Sequence, residues 1–217
     1  MLHWKFSSIV VGLLALCSTA PASTFVFNTD PFAGTPVLNV PGRQIVGGEE
    51  FINFNIATDV FSLDSSVFHV SDTAEFANGA VSALPATDVN VVVLESFDND
   101  NNTGTPFGAG QAADLIASRV ATPGPGFFVY FNQSLNLARL VYSTDLSSTN
   151  SDLKILARML NLFGDEGKNA LPNFTAANFE LPTSAAAAPE PSGFFMIAGG
   201  LLLAACSFTM RRRQALH

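Results

Sequence analysis

Apolar and polar residues alternate in short runs along the middle of the chain. Ile52, Phe54 and Ile56 alternate with Asn53 and Asn55, and this period of two predicts a half-buried strand. Val89-Asn90-Val91-Val92-Val93-Leu94 is apolar on both sides and predicts a central strand. Phe127 to Phe131 and Leu135 to Ser143 flank Asn132-Gln133-Ser134, which predicts a hairpin. The period changes at Ala113, Ile116, Ala117 and Val120, with Gln111, Asp114 and Ser118 opposite and Pro123 closing the segment; this predicts a helix. Leu153 to Leu162 fits two templates. Lys154, Arg158 and Asn161 would form a polar helical stripe, whereas Ile155, Ala157 and Met159 alternate as in a strand. The strand before it and the turn-rich Ser147-Ser148-Thr149-Asn150-Ser151 favour strand. The pattern as a whole predicts a mainly β chain: a single β-sandwich-like domain with one or two short helices.

Both ends break this pattern. Lys5, the apolar run Ile9 to Leu16 and Ala20-Pro21-Ala22 have the layout of a secretory signal peptide over residues 1–22, with cleavage before Ser23. Cys17 follows Leu16, where a lipid-modified cysteine would follow a small residue. Residues 193–210 carry no charge, and as a helix they would reach about 27 Å, close to the thickness of a bilayer core. They are expected to form a C-terminal transmembrane helix. Arg211, Arg212 and Arg213 stop transfer and hold the tail, 211–217, on the cytoplasmic side. The β-rich extracellular domain is then 23–182, and the Ala/Pro-rich stretch 183–192 is a linker.

Pro189-Glu190-Pro191, the uncharged span and the arginine cluster follow one another within Pro189 to Arg213. That order resembles the PEP-CTERM sorting signal of bacterial exosortase substrates. The resemblance implies recognition by a membrane exosortase, cutting near Pro-Glu-Pro, and release or transfer of the ectodomain to the cell surface, often in species that make exopolysaccharide. A sortase signal would need Leu-Pro-x-Thr-Gly, from which Leu181-Pro182-Thr183-Ser184-Ala185 departs at two positions. A GPI signal has no terminal basic stop. The stretch from Asn102 through Pro123-Gly124-Pro125-Gly126 to Leu146 also resembles an ectodomain that recurs in front of such C-termini, a likeness that implies no activity.

Charge and composition narrow the partners. Ser23 to Ala188 holds six basic and seventeen acidic residues, a net charge of −11. Nucleic acid, which demands a basic face, is excluded as a partner. Cys17 and Cys206 both fall in the end segments, so the domain is expected to have neither disulfide nor thiol chemistry. His69 is its one histidine, which excludes zinc sites built from His and Cys. Sixteen phenylalanines between Phe25 and Phe179 are available to fill a core.

The most suggestive chemical stretch is Asp98-Asn99-Asp100-Asn101-Asn102-Thr103-Gly104. Asp98, Asp100 and Asn102 offer oxygens at positions one, three and five, as an EF-hand loop does. Gly104 then falls one place late, and Ala109 stands where a bidentate Glu is required. A solvated turn is the expectation, with calcium as the one cofactor candidate. His69, near Asp64 and Asp72, lacks a nucleophile context and is expected at the surface or the core edge. Glu49 and Glu50 are adjacent and point to opposite faces of a strand, so they cannot flank one glycosidic bond. Pro123-Gly124-Pro125-Gly126 is a turn with no P-loop lysine after it. Arg119 and Arg139 are expected as salt-bridged surface residues. Phe128, Tyr130 and Tyr142 are candidates for stacking on sugars if they are exposed.

The resulting expectation is a non-catalytic cell-surface or matrix protein linked to exopolysaccharide. It would be anchored first in the inner membrane by its C-terminal helix, then delivered to the cell surface or beyond. Its partners would be signal peptidase and exosortase during processing, the membrane, and exopolysaccharide. The alternatives are a secreted glycan-binding module and a carboxylate-dependent hydrolase.

Overall fold

A computed structural model describes residues 21–102 and 104–183. Residues 1–20 of the expected signal peptide, Thr103, the sorting motif Pro189, Glu190 and Pro191, the 193–210 span, and Arg211, Arg212 and Arg213 lie outside the described residues. Among the described residues no helix is long and apolar enough to cross a membrane.

The chain is sheet-rich with few short helices. Its strands are β1 (Thr24–Phe27), β2 (Ile45–Val46), β3 (Glu50–Ile52), β4 (Val60–Leu63), β5 (Phe76–Gly79), β6 (Val91–Leu94), β7 (Gly126–Asn132), β8 (Leu137–Ser143), β9 (Leu153–Phe163) and β10 (Phe179–Glu180). The helices are α1 (Ser65–Phe68), α2 (Ala109–Ala117) and α3 (Gly164–Ala170), with single 3₁₀ turns between elements. A small sheet has the order β1-β4-β10, and a large one runs β2-β9-β8-β7-β6-β5 with β3 also paired to β9.

β7 shows how the layers form. All seven of its residues are buried. Phe127, Val129 and Phe131 join a core with Phe27, Phe61 and Phe179 of the small sheet. Phe128 and Tyr130 point the other way, into a core built with Ala112, Ala113 and Ile116 of α2. β6 divides in the same manner, Val91 and Val93 on one side and Val92 and Leu94 on the other. A strand with apolar side chains on both faces needs cover on both. The first core lies between the two sheets; the second comes from the β6–α2–β7 crossover. β6 and β7 are parallel, so the chain between them must cross back over the sheet, and it lays α2 on the outer face.

Parallel pairing extends further. β1 and β10 both run parallel to β4, β5 runs parallel to β6, and β2 and β3 run parallel to β9. Among the described residues only β7–β8 and β8–β9 are antiparallel. The β7–β8 hairpin turns over Gln133 to Asn136 rather than 132–134: Asn132 Oδ1 accepts the Leu135 N–H at 2.8 Å, and Asn136 takes a left-handed conformation, φ 54°. At the other end of the hairpin, Gly126 is required by space. A Cβ there would lie 2.5 Å from both the Asn90 carbonyl oxygen and Leu146.

The ambiguous segment 153–162 is strand, and its register explains the ambiguity. Val141 pairs with Ile155 but Leu140 pairs with Ala157, so Leu156 is an extra residue in a bulge. Ile155 therefore faces α2 while Ala157 and Met159 face the small sheet. Their alternation in sequence does not place them on one face. A second irregularity, between Leu137 and Ala138 of β8, takes up Leu160 to Leu162 of β9. It frees Asn161, whose Oδ1 accepts the Phe54 N–H at 2.8 Å and whose Nδ2 donates to the Phe54 carbonyl at 3.0 Å. That side chain substitutes for a ladder partner. The strand expected over Ile52 to Ile56 keeps its alternating burial, yet β3 ends at Ile52.

α2 begins earlier than Ala113, at Ala109, with the Gly108 N–H taken by Gln111 Oε1 at 3.1 Å. It ends at Ala117, and Val120 is buried beyond the last turn.

Candidate functional site

The acidic loop lies between β6 and α2 and folds on itself. Asp98 Oδ1 accepts the backbone N–H groups of Asp100 (2.9 Å) and Asn101 (3.0 Å). Asp100 Oδ1 accepts the Asn102 N–H at 2.8 Å, and Asn102 Oδ1 accepts the Gly104 N–H at 3.0 Å. These are successive Asx turns. The oxygens expected at positions one, three and five each engage backbone N–H groups within the loop. The Asp100 N–H, ahead of that of Asn101, holds the Asp98 carboxyl below the usual range. Among the described residues no three His, Cys, Asp or Glu side chains are grouped to hold a metal.

Two hollows meet at His69, which is exposed and left-handed (φ 55°) at the end of α1. The larger, of about 560 Å³, is lined by Asp30, Phe32, Leu38, Val67, Pro125 and Tyr142 among others. The smaller, of about 200 Å³, includes Glu75, Asp88 and Thr122. Asp64 caps α1, its Oδ1 accepting from Ser66 Oγ at 2.6 Å and from the N–H groups of Ser66 and Val67. Tyr142 donates its hydroxyl to the Phe68 carbonyl at 2.9 Å. Burial, then the charge of Asp30, pushes its pKa up to about 12. The phenol stays protonated at neutral pH, with its proton held by the Phe68 carbonyl.

Glu49 sits just ahead of β3 with a side chain only 7% exposed. Its Oε1 accepts from Arg139 Nη2 at 2.6 Å and from Arg158 Nε. Arg139 and Arg158 are directly opposed across β8 and β9, an unfavourable placement for like charges, and one carboxylate bridges them. Burial alone would raise the Glu49 pKa. Its own backbone N–H, the Arg158 hydrogen bond and the charges of both arginines outweigh that and hold it at about 2. Arg139 Nη1 also approaches the Tyr130 hydroxyl at 3.5 Å, and Asn132 Nδ2 donates to the same oxygen at 2.9 Å. Burial pushes the Tyr130 phenol up. The guanidinium of Arg158 stacks on Phe51, 5.1 Å from the ring centre.

Several expectations are settled here. Glu49 and Glu50 diverge, Glu49 turned inward and Glu50 exposed. Arg139 is salt-bridged, but it is not a surface residue: its side chain is 11% exposed. Arg119 is exposed and reaches the Leu84 carbonyl at 3.5 Å rather than an acid. Phe128, Tyr130 and Tyr142 are buried and present no ring to a sugar, because the strands that carry them have a core on each face. Among the described residues the exposed phenylalanine rings are Phe51 and Phe163. Sequence reasoning missed the Glu49–Arg139–Arg158 bridge, whose members are far apart along the chain. Comparison with family models, with curated proteins and with solved structures finds no match for this chain.

Proposed function

We propose that this is an exported, non-catalytic protein of the cell surface or extracellular matrix, delivered by a PEP-CTERM-type signal. The observation that carries the reading is the order of Pro189-Glu190-Pro191, an uncharged stretch of membrane-spanning length and Arg211-Arg212-Arg213, behind an N-terminal A-x-A site. Signal peptidase and an exosortase process the chain, the C-terminal helix holds it in the inner membrane until then, and exopolysaccharide is the matrix it joins. Intact-mass measurement on surface and medium fractions tests this. The expected species starts at Ser23 and ends near Pro-Glu-Pro; extracellular protein that retains Arg211 to Arg213 would overturn the sorting step.

A glycan-binding role is a second reading, and Phe51 favours it. That ring is 64% exposed and backed by Arg158, which leaves one aromatic face free beside a cation. If it binds glycan, Phe51→Ala reduces retention on the organism's own exopolysaccharide at least several-fold while thermal stability is unchanged. Equal retention of both proteins removes the reading.

A further inference from the structure

Asp59, immediately before β4, is 4% exposed. Its Oδ1 accepts from the Ser23 backbone N at 2.9 Å and from Thr58 Oγ1 at 3.1 Å; its Oδ2 accepts from the Asn55 N–H at 2.9 Å. Asn178 Nδ2 donates to its backbone carbonyl at 2.9 Å. All of these donors are neutral, and among the described residues no Lys, Arg or His forms an ion pair with Asp59. A buried carboxylate held only by neutral donors has its hydrogen bonds but lacks a countercharge.

Ser23 stands at a defined place. Its carbonyl accepts the Val60 N–H at 3.0 Å, which puts it one rung before the β1–β4 ladder, where Thr24 pairs with Val60. The residue is exposed. It is also the residue directly after Ala20-Pro21-Ala22. Hydrolysis of the Ala22–Ser23 amide adds one water: the C–N bond breaks, Ala22 leaves as a carboxylate, and the Ser23 nitrogen becomes a protonated α-amine.

We propose that Asp59 is a receiving site for the N-terminus made by signal-peptide cleavage, so that processing turns a neutral N–H···O bond into an ammonium–carboxylate ion pair at the start of β1. One proton of the ammonium points at Asp59, and the exposure of Ser23 leaves the others to water. The inference rests on the export reading above and adds to it a structural reason for the cleavage position. A cut one residue earlier would carry the new charge past the carboxylate, and a cut one residue later would remove its donor.

The test uses the exported protein recovered from surface or medium. Intact mass first fixes the N-terminal residue. The α-amine is then titrated by the pH dependence of its acylation, in wild type and in Asp59→Asn, each folded and in urea. The side chains bonded to Asp59 through its carboxylate or carbonyl, Thr58 and Asn178, are uncharged, so the α-amine is the group that reports the pair. Expected is a wild-type amine that titrates above its ordinary range of about 7.7–8.0 only when folded, giving roughly tenfold slower acylation at neutral pH. Asp59→Asn should return it to the ordinary range. If the substitution prevents export, the folded-against-urea difference in wild type decides alone. A Ser23 terminus whose amine titrates alike folded and unfolded, or stays raised in Asp59→Asn, overturns this inference and leaves export standing. A different N-terminal residue by mass overturns the assigned cleavage site itself.

Discussion

Glu49 and Asp59 on one side, and Asp98 and Asp100 on the other, use the same functional group in opposite ways. Asp59 is buried and the Glu49 side chain is largely covered, and both tie together segments from distant parts of the chain: Glu49 joins β8 to β9, and Asp59 joins residue 23 to the 55–59 turn. The second two are exposed and bind backbone within four residues of themselves. A carboxylate that closes a local turn gains little over water, because the same N–H groups are solvated when the turn opens. One that bridges two strands in a water-poor interior leaves charges or donors stranded when it is removed. Density of acids along the sequence is therefore a poor guide to where acids matter.

The sharpest break in that contrast is Glu49→Ala. It leaves Arg139 and Arg158 opposed with no carboxylate between them, and denaturant unfolding should show a loss of about 3 kcal/mol. The same residue gives a pH signature. Its carboxyl is depressed from an ordinary 4.5 to about 2 in the folded chain, so its stabilisation is complete above 4.5 and is lost as pH falls through the window between those values. Glu49→Gln should remove that part of the acid dependence. An unchanged acid slope in the variant would show that other carboxyls carry it.

Asn178→Ala tests the support around Asp59 without touching its charge. Asn178 is buried, donates to the carbonyls of Ile56 and Asp59, and accepts the Thr175 N–H. Losing those bonds should cost about 2 kcal/mol in the same unfolding assay; a cost near zero would mean that water replaces the amide. The smallest effect is expected at the exposed loop. Asp98→Ala and Asp100→Ala should each leave the unfolding midpoint indistinguishable from wild type. Calcium and magnesium at matched ionic strength should raise the melting temperature equally and slightly, by screening the net negative charge. A calcium-selective rise that disappears in either variant would make the loop a site and dissolve the contrast.

The elements that sequence reasoning found are those whose evidence is local. The β7–β8 hairpin was legible because Phe127 to Phe131 and Leu135 to Ser143 are long, largely apolar runs around a polar turn, although the second strand starts at Leu137. α2 was legible from its 3.6-residue period. Parallel pairing was not, because the unbroken apolar run Val91 to Leu94 marks a buried strand but not its partner, and the β6–α2–β7 crossover decides the second core. The segment 153–162 looked helical as well as extended because the Leu156 bulge breaks the strand's period. Asp59 was invisible for a related reason: it is a single Asp between Thr58 and Val60, and its partners stand at residues 23, 55 and 178.

The small sheet also sets an order of events in time. β4 is flanked by the first strand of the domain and by the last, and Phe61 packs against Phe179 at 5.7 Å while Phe54 packs against Phe174 at 5.6 Å. Until residues 174–181 are available, β4 has an open edge and these rings lack their cover. The core between the sheets thus closes only when the end of the domain arrives, a contact between distant parts of the chain that is slow to form. A chain threaded through a membrane pore from its N-terminus would stay unlocked, and pliable enough to keep moving, until its final strand had come through.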